Sequence, residues 1–290
     1  MADGGTTPAA LEAVAVEVAV GAARFVRDGR PTRVDVAATK STDLDVVTAM
    51  DTASEQLILD RLAGLRPDDA VLGEEGGGRT GRTGLTWVVD PIDGTVNYLY
   101  GLPAYAVSVA VVTGDPNRPG AWEPLAGAVV NPEVGEVFHA SRGGGAWRRP
   151  LVGGPGEAGE VGVAGEPVRL AATDTPDLER ALLATGFSYD RSARDEQGRV
   201  AHRVLERVRD LRRMGSAALD LCSVAAGRVD GYYESGLHAW DLAAGWLVAT
   251  EAGAVVTSVD GGSAGGGSVL AAGPSLHPLL RDLLVALRRA

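Results

Sequence analysis

Acidic residues recur where the chain is predicted to turn. Glu74 and Glu75 lie in a glycine-rich turn, Asp90 and Asp93 follow an apolar run in the segment DPIDG, and Asp241 opens an alanine-rich helix. Taken singly, each has an ordinary structural explanation. The two glutamates could be solvated turn residues, the two aspartates of DPIDG are common in turns before Pro or Gly, and Asp241 could be a helix N-cap. If they converge, charges about 4 Å apart repel by about 4 kcal/mol at an effective dielectric of about 20. Converging carboxylates therefore predict a cation, and hard oxygen ligands favour Mg²⁺.

Other reactive residues carry weaker signals. The glycine spacing at 154–159 matches a dinucleotide fingerprint, but it lies in a Gly-Pro-Glu stretch rather than between a strand and a helix. Ser216 is more simply a helix cap than a nucleophile, and Cys222 lies among apolar neighbours as an inert thiol is expected to. His238 has no orienting partner that the sequence identifies. The carboxylates therefore remain the leading candidates.

Composition excludes several classes of protein. The formal net charge of −11 argues against a DNA or RNA binder, and a single lysine, Lys40, rules out a Walker phosphate-binding loop. One cysteine and four histidines cannot build a zinc ribbon. No apolar run reaches the roughly 18 residues of a membrane span, and the N-terminus lacks a basic leader. We expect a cytoplasmic protein that binds neither nucleic acid nor membrane.

The first half, residues 1–167, is predicted to be an α+β unit with an antiparallel sheet. A helix runs from Pro8 to Gly29, and a second follows Asp51, with Thr52 and Glu55 as its capping box. The strand at 86–89 leads into the DPIDG turn and places its aspartates at a strand end. Further strands are predicted at 106–112, 127–130 and 136–140. The low-complexity stretch 151–167 is predicted to be a mobile loop or a hairpin insertion without function.

The second half, residues 168–290, is predicted to be an α/β unit. Helices are expected at 178–184, 200–211, 217–226, after Trp240 and at 276–287. Strands are expected at 231–234, 254–259 and 269–272. Alternating helices and strands of this kind favour an α/β layered architecture, with the amphipathic last helix covering one face.

These motifs together resemble the inositol monophosphatase family of Mg²⁺-dependent, lithium-sensitive sugar phosphatases. The resemblance rests on GEE at 73–75, WVVDPIDGTVN at 87–97 and WDLAAG at 240–245, supported by DLDVVTAMD at 43–51, GSAALDLC at 215–222 and DGYYE at 230–234. It spans about Lys40 to Val256 and is most similar to actinobacterial members. It implies an α/β/α/β/α layered sandwich, a homodimer and two to three Mg²⁺ ions. Tyr98 departs from the family, which has Phe there.

The resemblance also implies roles for individual residues. The implied metal ligands are Glu74, Asp90, the Ile92 carbonyl, Asp93 and Asp241. The implied catalytic group, which orients and deprotonates the attacking water, is Asp51 with Thr95, assisted by Glu74. The implied substrate contacts are Asp93, Gly94, Thr95, Ala217, Glu234 and Asp241. Lys40 aligns with a basic residue near an active-site flap. The implied reaction is direct in-line hydrolysis of a phosphate monoester without a phosphoenzyme.

The substrate stays open at this stage. A small phosphorylated polyol, inositol 1-phosphate, is favoured because a carboxylate such as Glu234 accepts hydrogen bonds from adjacent ring hydroxyls. Histidinol phosphate, fructose 1,6-bisphosphate and nucleotide phosphates are alternatives within the family. A different alternative is a non-catalytic partner in transcription or ribosome complexes, using the pairs Arg148-Arg149 and Arg212-Arg213. The complete ligand set favours an enzyme.

Overall fold

The structure is a computed structural model that describes residues 6–40, 42, 45–152, 162–163, 165–265 and 267–288. Most of the predicted loop at 151–167, and with it the glycine motif at 154–159, lies outside these residues. Within them, no helix combines the length and the apolar character that a membrane crossing requires.

The described chain contains seven α-helices and sixteen strands. The helices are α1 (Pro8–Asp28), α2 (Ala49–Leu65), α3 (Thr95–Tyr100), α4 (Arg191–Leu205), α5 (Ala217–Ala225), α6 (Ala239–Glu251) and α7 (Leu276–Arg288). The strands up to Ser141 are β1 (Val36–Thr39), β2 (Val46–Thr48), β3 (Ala70–Gly73), β4 (Gly78–Arg79), β5 (Leu85–Asp93), β6 (Ala106–Gly114), β7 (Trp122–Asn131) and β8 (Glu136–Ser141). The remaining strands are β9 (Gly145–Val152), β10 (Gly162–Val163), β11 (Val168–Arg169), β12 (Leu182–Thr185), β13 (Asp210–Arg212), β14 (Gly231–Ser235), β15 (Val255–Thr257) and β16 (Ser268–Ala272).

Two large sheets and three helix pairs form five layers. The first sheet has the order β10-β9-β8-β7-β6-β5-β3-β4, with β11 beside β9, and the second has the order β13-β12-β14-β16-β15. Helices α1 and α2 cover one face of the first sheet, α5 and α6 lie between the sheets, and α4 and α7 cover the second sheet. Three apolar cores fill the spaces between these layers. The predicted layered sandwich is confirmed.

The strands of the first sheet are mainly antiparallel. All pairings from β5 through β9 are antiparallel, whereas β3 and β5 run parallel. This parallel pair brings two carboxyl ends to one edge of the sheet. Glu74 follows the end of β3, and Asp90 and Asp93 lie at the end of β5.

The predicted start of the second helix is four residues too late, because the N-cap is Thr48 and not Thr52. Thr48, not a residue after Asp51, is the N-cap: Asp51 Oδ2 accepts from the Thr48 N–H at 2.8 Å, and Thr48 Oγ1 accepts from the Met50 N–H at 3.2 Å. The sequence contains two overlapping capping-box spacings, and the strand β2 that ends at Thr48 selects the earlier one. Glu55, the second residue of the predicted capping box, instead accepts hydrogen bonds from the backbone of the turn at Glu75 and Gly77.

Two helix predictions in the second half are also wrong. The segment 178–184 forms one 3₁₀ turn, Leu178–Arg180, and then the strand β12, which lies between β13 and β14 in parallel register. The helix predicted at 200–211 runs instead from Arg191 to Leu205 and is followed by β13. Short apolar runs do not distinguish a buried strand from a helix by periodicity, and tertiary packing decides between them.

Candidate active site

Three aspartates converge at the edge of the first sheet. Asp90, Asp93 and Asp241 each place a carboxylate oxygen within 4.8 Å of the other two. Asp90 and Asp93 are buried, and Asp241 is half-buried. Two of them come from one strand and the third from α6 in the layer above, so the cluster forms only when the sheet and the middle helices pack together.

Strand β5 positions its two aspartates through a break in its pairing with β6. The register is regular from Leu85 to Asp90 and shifts between Asp90 and Asp93. Asp90 Oδ1 accepts from the Ile92 N–H at 3.0 Å, which folds the carboxylate back over Pro91. Asp93 Oδ2 accepts from the Ser216 hydroxyl at 2.6 Å and from the Ala218 N–H at 2.7 Å. The start of α5 therefore fixes Asp93.

Asp241 is the third residue of α6, not the cap that its sequence position suggests. His238 is the N-cap, and its N–H donates to Asp241 Oδ2 at 2.6 Å. This hydrogen bond leaves the other carboxylate oxygen of Asp241 for the cluster. A first-turn carboxylate is also favoured by the helix dipole, which partly offsets its burial.

Glu74 is held by a turn that Glu55 organises. The Glu55 carboxylate accepts from the Glu75 N–H and the Gly77 N–H, each at 2.8 Å. Lys40 Nζ donates to Oε1 of both Glu74 and Glu75 at 2.7 Å. Glu74 Oε2 is buried and makes no hydrogen bond within the described chain. One oxygen of this carboxylate is thus free to bind a ligand from the site.

Asp51 and Thr95 form a pair beside the acidic cluster. Asp51 Oδ1 accepts from the Thr95 hydroxyl at 3.0 Å, and its Oδ2 accepts from the Thr48 N–H and the Thr48 hydroxyl. Thr95 Oγ1 also lies 3.0 Å from the Ile92 carbonyl oxygen. Thr95 lines the cavity, whereas Asp51 is buried behind it. This arrangement can relay a proton from the cavity to a buried carboxylate.

Gly94 makes the turn from β5 into α3. Its φ is +96°, and a Cβ there would lie 3.0 Å from the carbonyl oxygens of Ala104 and Gly215. Glycine satisfies both the left-handed backbone and the close approach of these two segments. The turn leaves Thr95 at the first position of α3, facing the cavity.

A cavity of about 110 Å³ is lined by most of the predicted site residues. Those that line it are Glu74, Asp90, Ile92, Asp93, Gly94, Thr95, Ala217, Glu234 and Asp241. Glu234 comes from β14 of the second sheet, and Tyr232 donates to its Oε2 at 2.7 Å. Asp51 is the one predicted site residue that is not part of the lining.

Burial and mutual repulsion raise the pKa of the carboxyls in this region. Burial, followed by the nearby charge of Glu74, raises the pKa of Asp90 and Asp241 well above the usual range. Burial raises the pKa of Asp93 to about 6, although its hydrogen bonds with Ser216 and Ala218 oppose the shift. Burial also raises the pKa of Glu75 and of Glu234 to about 7. Such a cluster is costly to keep ionised without a bound cation.

Part of the cavity wall consists of residues that the sequence does not predict as site residues. Gly186, Phe187, Tyr189 and Arg213 all line it, and they come from the segments that follow β12 and β13. From the sequence, Arg213 is predicted only as a residue that could bind a partner protein. No local signal marks these positions, because their place depends on how the second sheet packs against the first.

Ser216, Cys222 and His238, for which the sequence predicts no catalytic role, make structural contacts. Ser216 caps α5 by accepting from the Leu219 N–H at 3.2 Å. Cys222 is buried, and burial raises the pKa of its thiol. The His238 ring stacks on Trp240 with centroids 4.6 Å apart.

The donors of this site fit a hard divalent cation. They are carboxylates, with the buried Glu74 Oε2 lacking any partner in the described chain and three aspartates converging beside it. Oxygen ligands of this kind suit Mg²⁺ rather than a softer metal. Lys40 neutralises only the outer part of the cluster, at Glu74 and Glu75.

The chain is similar to known proteins over most of its length. The chain matches the inositol monophosphatase family over residues 8–289. It is 45% identical over 298 residues to the inositol-1-monophosphatase of Mycobacterium leprae, covering 97% of this chain and 94% of that protein. It is 36% identical over 267 residues to the Nus factor SuhB of Pasteurella multocida, covering 91% of each.

A solved structure shows the same fold. Mycobacterium tuberculosis SuhB aligns with a TM-score of 0.77 and 41% identity, covering 97% of this chain and 98% of that one. The predicted family and the predicted layered sandwich agree with this structural match. The chain therefore belongs to the inositol monophosphatase family.

Proposed function

We propose that the chain is a Mg²⁺-dependent phosphate monoester hydrolase whose main substrate is myo-inositol 1-phosphate. The observation that carries the proposal is the convergence of Asp90, Asp93 and Asp241 beside the Thr95–Asp51 hydrogen bond at one cavity. The family membership and the relatives named inositol-1-monophosphatase support the same activity.

The carboxylates provide sites for two or three Mg²⁺ ions. Glu74, Asp90 and the Ile92 carbonyl would hold the first, and Asp90, Asp93 and Asp241 would hold the second. A third, weaker ion would use Glu74. When bound, Mg²⁺ would neutralise the charge of the phosphate and lower the pKa of a coordinated water molecule.

The protein's own residues orient and deprotonate the nucleophile. The Thr95 hydroxyl faces the cavity and donates to Asp51, so it can accept a hydrogen bond from a water molecule there. The buried Asp51 carboxylate, anchored by Thr48, receives the proton that the water loses. Burial raises the pKa of Asp51, which makes it a better proton acceptor than an exposed aspartate.

The opposite wall suits a polyol. Glu234 faces the cavity with its Oε2 already bound to Tyr232, so Oε1 is the acceptor for ring hydroxyls. Arg213 lies in the same wall and adds a positive charge. The Ala217 side chain leaves space for the ring. These features support a hydroxyl-rich phosphate ester as substrate.

The proposal is tested by phosphate release from purified protein. The substrates are inositol 1-phosphate, histidinol phosphate, fructose 1,6-bisphosphate and a nucleotide 3′-phosphate, each with Mg²⁺, with EDTA and with Li⁺. We expect Mg²⁺-dependent release, fastest from inositol 1-phosphate and inhibited by Li⁺. Folded protein that binds Mg²⁺ and releases phosphate from none of the four would contradict the proposal.

Family resemblance also supports a homodimer, which light scattering of the purified protein measures directly. A second role in transcription is supported by the relative from Pasteurella multocida, which is named a Nus factor. Affinity purification of the Asp241→Asn variant tests that role separately from catalysis. Co-purification of polymerase components with a protein that lacks activity would support it.

A further inference from the structure

Strand β14 separates the active-site cavity from a second cavity. Glu234 faces the first cavity, whereas Tyr233, the residue before it, packs in the core beneath α4 and α7. The second cavity has a volume of about 260 Å³, and Gly186 and Glu234 border both. Its apolar lining residues are Ala193, Val200, Tyr233 and Leu284, and the polar ones besides Glu234 are Thr185, Glu196, Gln197, Ser235 and Arg288.

One polar group in this wall is buried without a partner. The Tyr233 side chain is 6% exposed, and its hydroxyl makes no hydrogen bond within the described chain. Thr185 lies near this residue, but its hydroxyl donates to the Tyr233 carbonyl oxygen at 2.9 Å. A buried hydroxyl without a partner costs free energy. A ligand that accepts a hydrogen bond in this cavity would remove that cost.

A basic groove adjoins this cavity. The groove, about 650 Å³ between α4 and α7, shares Glu196, Val200 and Arg288 with it. Four arginines line the groove against two glutamates: Arg199, Arg203, Arg207 and Arg288, with Glu196 and Glu206. Such a local excess of positive charge stands out on a chain whose net charge is −11.

Two of these arginines are available for a ligand. Arg199 lies 3.3 Å from Asp195, and Arg203 lies 3.6 Å from Glu206. Among the described residues, Arg207 has no carboxylate within ion-pair distance. Within the part of the chain that the structure describes, the Arg288 side chain donates to the Ser235 hydroxyl alone, at 2.7 Å. Arginine binds phosphate oxygens with two parallel hydrogen bonds.

We propose that the cavity and the groove together form a binding site for a small phosphate ester with an aromatic body, such as a nucleoside monophosphate. The body occupies the cavity beside Val200 and Leu284, where Tyr233 hydrogen-bonds to it. The phosphate lies in the groove against Arg207 and Arg288. This site is separate from the catalytic one, and the inference goes beyond the proposed phosphatase function.

The test is calorimetric titration of the full-length protein with AMP in EDTA. Without Mg²⁺ the catalytic carboxylates repel phosphate, and no hydrolysis interferes. We expect saturable binding of AMP and at least tenfold weaker binding of adenosine, which lacks the phosphate, and of ribose 5-phosphate, which lacks the base. A titration with no heat up to millimolar AMP would overturn the proposal.

Variants locate the binding. Arg207→Ala and Tyr233→Phe should each weaken AMP binding, the first by at least tenfold, and Val200→Trp should abolish it by filling the cavity. Arg191→Ala, an exposed change on the same helix, should leave the affinity unchanged. Circular dichroism and thermal unfolding check that each variant folds. Should Val200→Trp fail to fold, Tyr233→Phe and Arg207→Ala decide the question, and wild-type affinity in both would overturn the proposal.

Discussion

The Thr95 hydroxyl donates to Asp51 Oδ1 at 3.0 Å, across 44 positions of the chain. Asp51 belongs to the first turn of α2, and Thr95 begins α3. Thr48 occupies the other Asp51 oxygen, so the carboxylate has a fixed orientation toward the cavity. A capping interaction of a helix thus also orients the predicted proton acceptor.

Removing the Thr95 hydroxyl should slow the reaction with little change in metal affinity. We expect Thr95→Ala to lower kcat by about 10²- to 10⁴-fold, the usual contribution of positioned proton transfer. Thr95→Ser keeps the hydroxyl and should restore most of the rate. Steady-state kinetics and Mg²⁺ titration of the three proteins measure both effects. Wild-type kcat in Thr95→Ala would refute the assigned role.

Neutralising Asp241 should weaken Mg²⁺ binding and stabilise the metal-free protein. Asp241→Asn removes one charge from a cluster in which burial and the charge of Glu74 raise the pKa of Asp241, while an amide oxygen can still accept from His238. We expect kcat to fall at least about 100-fold and the melting temperature in EDTA to rise by about 3 °C, which is about 1 kcal/mol for a chain of this size.

Asp210→Asn is the matched control for this experiment. Asp210 lies on β13 and pairs with Arg212 at 2.6 Å, away from the cavity. It should change neither the Mg²⁺ affinity nor kcat. An Asp241→Asn protein with unchanged Mg²⁺ affinity would show that Asp241 is not a ligand.

The stability of the metal-free protein should fall as the pH rises from about 4 to 7. The pKa of Asp93 is raised to about 6 and those of Glu75 and Glu234 to about 7, whereas an unfolded carboxyl titrates near pH 4. Within this window the folded chain binds more protons than the unfolded chain, so the free energy of unfolding decreases with pH. Asp69 and Glu136 have lowered pKa values, so the stability that they contribute is lost only as the pH falls below this window.

Urea unfolding at pH 5, 6 and 7 measures this dependence in EDTA and in saturating Mg²⁺. Mg²⁺ binds the ionised carboxylates, so its stabilising effect should grow with pH and reduce or reverse the trend. An EDTA series in which the free energy of unfolding increases from pH 5 to pH 7 would contradict the assigned pKa shifts.

The sequence predicts the part of the site that is built from contiguous motifs. Asp90, Asp93, Gly94 and Thr95 form one strand end and turn, so their proximity follows from local structure. Arg213 is different, because it reaches the cavity only after β13 joins the second sheet and that sheet packs on α5.

The missed elements have the same physical cause. Leu182 and Leu183 look helical in a short window, but two parallel neighbours pair with β12 and fix an extended backbone. The start of α2 depends on which of two threonines ends β2. Pairing partners distant in the chain decide both cases, and periodicity within a short window does not report them.

Gly186 should control substrate affinity through Glu234. A Cβ on Gly186 would lie 1.9 Å from Glu234 Oε2, so Gly186→Ala must displace this carboxylate from the cavity wall. We expect KM for inositol 1-phosphate to rise about tenfold while Mg²⁺ affinity is retained. Gly198→Ala is the control, since its Cβ would meet nothing within 4 Å.

Gly198 lies inside α4, where alanine should stabilise the helix by about 0.5–1 kcal/mol without affecting KM. Kinetics and thermal unfolding of both variants separate the two effects. If KM is unchanged in Gly186→Ala, Glu234 does not contact the substrate.

Tyr98 and Tyr105 should respond in opposite directions to loss of their hydroxyls. Their rings meet edge to face at 5.2 Å, and both are fully buried. The Tyr98 hydroxyl has no hydrogen-bond partner in the described chain, whereas the Tyr105 hydroxyl donates to Glu133 at 2.8 Å. Tyr98→Phe should therefore raise the free energy of unfolding by about 1 kcal/mol, and Tyr105→Phe should lower it by about the same amount.

Chemical unfolding of the two variants, each in EDTA, measures this pair of effects without involving the metal site. Both substitutions keep the aromatic ring, so the edge-to-face contact and the Arg30 guanidinium 5.4 Å from the Tyr98 ring centre are preserved. A loss of stability in Tyr98→Phe equal to that in Tyr105→Phe would mean that the Tyr98 hydroxyl is hydrogen-bonded in solution, since only a satisfied hydroxyl contributes stability that its removal takes away.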